Sequence, residues 1–116
     1  MKYLCLIYSD EQSLDSIPQE EFDAMIEQCE PFADGLRSRG QLVAAERLQP
    51  VSAATTIHFE RGKPSVIDGP FAETKEQLGG FYLIDAGNLD EAITIASNIP
   101  PARFGSVEVR PIWEYP

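Results

Sequence analysis

The residues best suited to acid–base chemistry lie in one turn-rich segment, from Asp68 to Gly80. Within it stand three carboxylates and one lysine: Asp68, Glu73, Glu76 and Lys75. A carboxylate beside a lysine can act as a general base while the ammonium group stabilises a developing oxyanion. Charged loops held on a rigid sheet are common places for binding and catalysis. We therefore predict that these four side chains are the catalytic candidates.

Four further residues are candidates for substrate binding. Phe71, Gly79 and Gly80 lie in the same segment, and the two glycines would let a ligand approach the backbone. Arg110 offers a guanidinium group that can bind a substrate carboxylate. The alternatives are structural, because two glycines can also form a bend at the start of a strand. Arg110 with Glu108 can form a cross-strand ion pair, and so can the two residues at 46–47.

The whole segment also has a structural interpretation. Asp68 can hold a turn through its own backbone, and Thr74 and Gln77 can cap a short helical turn. Lys75 would then be solvated or paired with a glutamate. A third possibility is that the segment closes a dimer. The spacing of these residues is diagnostic of no particular reaction.

Histidine and cysteine usage argues against a metal centre. His58 is the single histidine, and Cys5 and Cys29 are the only cysteines, so a zinc site lacks ligands. The acidic loop at 10–15 lacks the spacing of a calcium loop. The two cysteines lie in apolar patterns and are predicted to be small core residues. We expect no metal and no tightly bound cofactor.

Charge and composition exclude several partners. The chain has 116 residues, 43% of them hydrophobic, and a formal net charge of -10. Such an acidic protein is poorly suited to bind nucleic acid or an anionic membrane surface, since both interactions need cations. No apolar run has the length of a membrane span. We expect one cytoplasmic domain, over residues 1–116.

The elements that must position these residues follow from hydrophobic periodicity. An apolar run at 2–8 predicts a buried strand. Apolar residues then recur every three or four positions, predicting a helix capped by Ser16 and ended at Gly40. Pro31 predicts a kink or break near Glu27.

Further strands are predicted at 42–48, 55–60, 64–67, 80–86 and 107–113, and a second helix begins after Asn88 or Asp90. The strands at 55–60 and 64–67 form a hairpin. Pro111 confines the last strand to an edge. This order predicts an α+β, ferredoxin-like antiparallel sheet with two helices on one face and an inserted hairpin.

Two helices cover only one face of such a sheet, yet the strands at 2–8 and 80–86 are apolar on both faces. An exposed apolar face of this size is unusual in a soluble monomer. We therefore predict a two-fold homodimer in which a second copy covers this face.

The run from Asp68 through Phe81, DGPFAETKEQLGGF, resembles the signature of the YCII-related proteins, in the branch named for its Asp-Gly-Pro-Phe tetrapeptide. Similar matches lie at 46–50, 89–92 and 107–111, so the resemblance covers nearly the whole chain. It implies a dimeric α/β barrel built from ferredoxin-like subunits. The wider superfamily includes isomerases, monooxygenases and dehalogenating enzymes that use the pocket between helices and sheet. Distant relatives use a His–Asp pair, which His58 does not match.

Two functions follow as hypotheses. The first is a small dimeric enzyme or binder that acts on a small organic molecule through the acid–base residues of the segment. The alternative is a non-catalytic regulatory or ligand-binding dimer. The resemblance also implies a link to sigma-factor-dependent transcription, because genes of this branch often accompany alternative sigma factors.

Overall fold

Six strands and three helices form the chain, and a computed structural model describes all of residues 1–116. The elements are β1 (Lys2–Ser9), α1 (Glu11–Leu14), α2 (Gln19–Ser38), β2 (Leu42–Arg47), β3 (Thr55–Glu60), β4 (Lys63–Asp68), β5 (Gln77–Asp85), α3 (Leu89–Ala96) and β6 (Gly105–Pro111). Short 3₁₀ turns lie at Val51–Ala53 and Pro100–Phe104.

The main sheet has four antiparallel strands in the order β2-β5-β1-β6, and β3 pairs only with β4. This is the strand order of a ferredoxin-like fold with a hairpin inserted between β2 and β5. The predicted α+β fold is therefore confirmed. The two continuously apolar runs are the two central strands, β1 and β5, and Pro111 ends an edge strand, as predicted.

The core lies between one face of the sheet and helices α2 and α3. From the sheet it contains Tyr3, Cys5 and Ile84, and from α2 it contains Leu36, all nearly inaccessible to solvent. The opposite face carries side chains that are only half-buried: Leu4, Leu6, Tyr8, Phe81 and Leu83. We call this set the open sheet face, because both long helices pack on the other side.

Helix α2 runs without interruption through Pro31, so the predicted break is absent. Burial of Met25, Ala33 and Leu36 along one stripe holds the helix together despite the missing proline N–H. The predicted cap is also wrong, since the helix begins after Pro18 and has no side-chain cap. None of the three helices combines the length and apolar character needed to cross a bilayer.

The predicted C-terminal end of α2 at Gly40 is confirmed, and so is the predicted N-terminal cap of α3 at Asn88. Gly40 has a φ of 70°, which glycine adopts at low cost, and its N–H donates to the Arg37 carbonyl at 3.0 Å. Asn88 precedes α3, and its side-chain oxygen accepts a hydrogen bond from the Glu91 N–H at 2.9 Å. This bond satisfies an otherwise unpaired backbone donor in the first turn.

The β3–β4 hairpin turns at Arg61 and Gly62, which both have positive φ angles, as a tight two-residue hairpin turn requires. One hairpin face presents three exposed apolar side chains: Ile57, Phe59 and Val66. The hairpin also carries His58, whose side chain is exposed to solvent.

Candidate functional site

A cleft of about 820 Å³ opens between α2, the 3₁₀ turns and the helix-facing side of β2 and β5. Ile7, Met25, Ala33 and Tyr82 form its buried apolar wall. Its volume falls in the range of pockets that hold small organic ligands. A smaller cavity, of about 370 Å³, lies between α3 and β6 and contains fewer polar groups.

Small residues leave this space open. Ala33 on α2, Ala45 on β2 and the two glycines at 79–80 on β5 all line the cleft. Gly80 is also required by the sheet, because a Cβ there would lie 2.8 Å from the carbonyl oxygen of Glu46. Gly79 has no partner on β1, because the register shifts between Ile7 and Tyr8, and this irregularity is a β-bulge within β5.

Arg47, the last residue of β2, places its guanidinium group beside the cleft. Its central carbon lies 5.8 Å from the centre of the Phe22 ring, a cation–π distance. In the strand register Ala45 faces Tyr82 and Arg47 faces Gly80, so both lie on the helix side. Glu46 therefore lies on the opposite face, and the predicted ion pair between positions 46 and 47 is wrong. Arg47 forms no ion pair at all.

Tyr82 supplies a second polar group to the cleft. Its ring meets Phe32 edge to face, with centroids 5.7 Å apart. Its hydroxyl makes no hydrogen bond within the protein and remains accessible to solvent. Burial raises the pKa of the Tyr82 hydroxyl, and nearby Cys29 and Glu30 add to the shift. The hydroxyl therefore stays protonated at neutral pH and can donate a hydrogen bond to a ligand.

Cys29 lines the same cleft from α2, where it is half-buried and not part of a disulfide. Its thiol donates a hydrogen bond to the Met25 carbonyl at 3.5 Å. Burial raises the pKa of this thiol, although Arg47 and Arg103 act to lower it. The neutral form is a poor nucleophile, so the thiol is not activated for covalent catalysis.

The rim is held by hydrogen bonds from α1. The Glu11 N–H donates to the Gln77 side chain at 2.9 Å, and the Glu11 carboxylate accepts from the Val51 N–H at 3.1 Å. These bonds join the short helix to the start of β5 and to a 3₁₀ turn. The Glu11 carboxylate is thereby partly satisfied by the protein itself.

The predicted site residues do not converge in this cleft. Of the eight candidates, Gly79 and Gly80 line it, and the other six are absent from its walls. Asp68, Glu73 and Lys75 are exposed to solvent and form no ion pair. Their assignment as acid–base residues stays a prediction.

Three other candidates occupy distinct positions. Glu76 accepts a hydrogen bond from the Ser106 hydroxyl at 2.8 Å, which ties the segment to β6. Phe71 is 84% exposed. Arg110 pairs with Glu108 two residues away, so this is an ion pair within one strand and not the predicted pair across strands.

The turn after β4 is held by its glycine more than by its aspartate. Gly69 has a φ of 109°, and its N–H donates to the Ala54 carbonyl at 2.8 Å. The Thr56 hydroxyl donates to the Gly69 carbonyl at 2.8 Å. No helical turn forms near Thr74, where the Gln77 side chain instead donates to the Thr74 carbonyl at 2.5 Å.

The cleft residues that the sequence analysis did not predict as site residues include Phe22, Cys29, Arg47 and Tyr82. Phe22 and Cys29 belong to the apolar stripe of α2, a pattern that equally describes a core. A usable signal was the alternation along β2, which places Arg47 on the same side as Ala45. Tyr82 lies within an apolar run that gives no sign of a free hydroxyl.

Two comparisons with known proteins found similarity over nearly the whole chain, including the residues that line the cleft. A family model of the YCII-related domain matches residues 1–116. An uncharacterized protein of Rhizobium meliloti (strain 1021) is 42% identical over 117 residues, which is 99% of this chain and 94% of that protein. The similarity therefore extends over every element described above.

Proposed function

This chain belongs to the YCII-related family, and we propose that it binds a small organic molecule in the cleft between α2 and the sheet. The cleft itself carries this proposal, because an apolar wall and unpartnered polar groups meet in one space of about 820 Å³. An apolar wall with a few polar groups is the usual composition of a ligand pocket.

The ionisable side chains in and near the cleft favour ligand binding over acid–base catalysis. The carboxylates of Asp68, Glu73 and Glu76 do not line it. Of the carboxylates that do line it, that of Glu11 accepts a backbone hydrogen bond and that of Glu30 is paired with an arginine. The Cys29 thiol is neutral at physiological pH, since its pKa is raised. The second hypothesis from the sequence, a ligand-binding dimer without turnover, fits these features better than the first.

We also propose that the protein is a homodimer. The open sheet face carries five half-buried apolar or aromatic side chains, and both long helices lie on the other side. A second copy related by two-fold symmetry would bring two such faces together. This arrangement would leave the cleft accessible, because the cleft lies on the helix side.

Alkylation of Cys29 tests the binding proposal without any mutation. The chain has two cysteines, and Cys5 is fully buried, so N-ethylmaleimide should label Cys29 alone. Molecules that raise the melting temperature in a screen of small organic compounds should protect Cys29. At a free concentration ten times the Kd, labelling should slow by about tenfold, because the occupied cleft excludes the reagent. Mass spectrometry of the labelled peptides measures the rate.

Cys5 is the internal control, since labelling of both cysteines would report unfolding and not access to the cleft. Stabilising molecules that leave the Cys29 rate unchanged would bind elsewhere. That outcome would contradict the proposed function.

A further inference from the structure

Some of the charged side chains that line the cleft have an ion-pair or hydrogen-bond partner within the protein, and others have none. Six charged residues line it: Glu11, Asp15, Glu30, Arg37, Glu46 and Arg47. Glu30 and Arg37 pair at 3.1 Å, and the Glu11 carboxylate accepts a backbone hydrogen bond. Glu46 is paired with Phe81 in the sheet, so its side chain lies on the open sheet face and not in the cleft. Asp15 is exposed at the end of α1. Arg47 is therefore the one cation of the cleft with no partner.

The position of Arg47 suits an anionic group on a ligand. Its guanidinium lies over the Phe22 ring, which restricts its orientation while its N–H donors stay free. A guanidinium binds a carboxylate through two parallel hydrogen bonds. The protein has a net charge of -10, which disfavours anions at long range, so binding of an anionic ligand would depend on this local cation.

The remaining groups suit the apolar body of a ligand. Met25, Ala33 and the Tyr82 ring form the buried wall, and the Tyr82 hydroxyl is a free donor. We infer that the ligand is an organic acid with an apolar body, such as an aromatic ring, whose carboxylate binds Arg47. This inference rests on the proposed function and specifies the class of ligand for the same cleft.

Calorimetric titration with 1-naphthaleneacetate and its neutral amide tests the inference. The two probes have the same apolar body and differ only in the charged group. We expect the acid to bind roughly tenfold or more tightly than the amide. Arg47→Gln should abolish that difference, and Arg47→Lys should keep part of it, since a lysine retains charge without the planar fork.

Arg110→Gln is the matched control, because it removes the same charge from a site on β6 outside the cleft. It should leave the preference for the acid intact. If acid and amide bind equally and both protect Cys29, the inference is overturned while the proposed function stands. A preference that survives Arg47→Gln but not Arg110→Gln also overturns it. If neither probe binds at millimolar concentration, the inference is overturned, while the proposed function is decided separately by whether stabilising compounds protect Cys29.

Discussion

Alanine at position 105 is expected to lower the free energy of unfolding by about 2–3 kcal/mol. Gly105 pairs with Ser9 where β6 joins the central strand β1. A Cβ at this position would overlap the carbonyl oxygen of Tyr8 and lie 2.9 Å from the Cα of Ser9. Both neighbours are backbone atoms of a central strand, so neither can rotate away. The strands would have to separate locally, with loss of ladder hydrogen bonds.

Thermal unfolding measures this effect, because each kcal/mol shifts the midpoint by about 4 °C in a chain of this length. The expected drop for Gly105→Ala is about 8–12 °C. Gly79→Ala is the control, since its Cβ would meet no atom closer than 3.9 Å. Equal midpoints for the two variants would show that β6 does not pack against β1 as described.

Lysine at position 6 is expected to convert the proposed homodimer into a monomer. Leu6 lies in the middle of the open sheet face and pairs across the strands with Phe81 and Glu108. In the monomer the new ammonium group stays solvated beside the Glu108 carboxylate, so the fold tolerates it. In the dimer it would be buried between the two open sheet faces, where the neighbouring Glu108 carboxylate is already paired with Arg110. The symmetry places this charge in the interface twice. Burial of that charge should raise the dimer dissociation constant by roughly 100-fold or more.

Sedimentation equilibrium measures the association directly. The unmodified chain should sediment at twice its subunit mass of 12.9 kDa at micromolar concentration. Ile93→Lys is the control, because Ile93 is an equally apolar residue exposed on α3, away from this face. The dimer proposal fails if the unmodified chain is a monomer, or if Leu6→Lys associates as strongly as Ile93→Lys.

The fold was predictable because each element has its own local signal. The two continuous apolar runs identified the central strands, and the helical spacing from Phe22 to Leu36 identified α2. The break predicted from Pro31 is absent for a simple reason. A proline removes one hydrogen bond, and the buried stripe of a 20-residue helix outweighs that loss.

The cleft was less predictable, because no local pattern distinguishes a pocket wall from a core. Cys29 belongs to the apolar stripe of α2 and Tyr82 to an apolar strand, and both patterns also describe core residues such as Cys5 and Tyr3, yet the first two line the cleft. The segment at 68–80 was predicted to hold the site because it contains several charged side chains close together in the sequence. Most of that charge is exposed, and the segment contributes its glycines to the cleft instead.

The cleft between α2 and the sheet is proposed as the ligand site. A two-dimensional ¹H–¹⁵N NMR titration with 1-naphthaleneacetate tests it most directly, because it reports every backbone amide at once. We predict that the largest saturable shifts occur at Cys29, Gly80 and Tyr82. The amides of Ile57 on the hairpin and Leu6 on the open sheet face should stay unchanged. Shifts confined to the hairpin or to the open sheet face would contradict the claim.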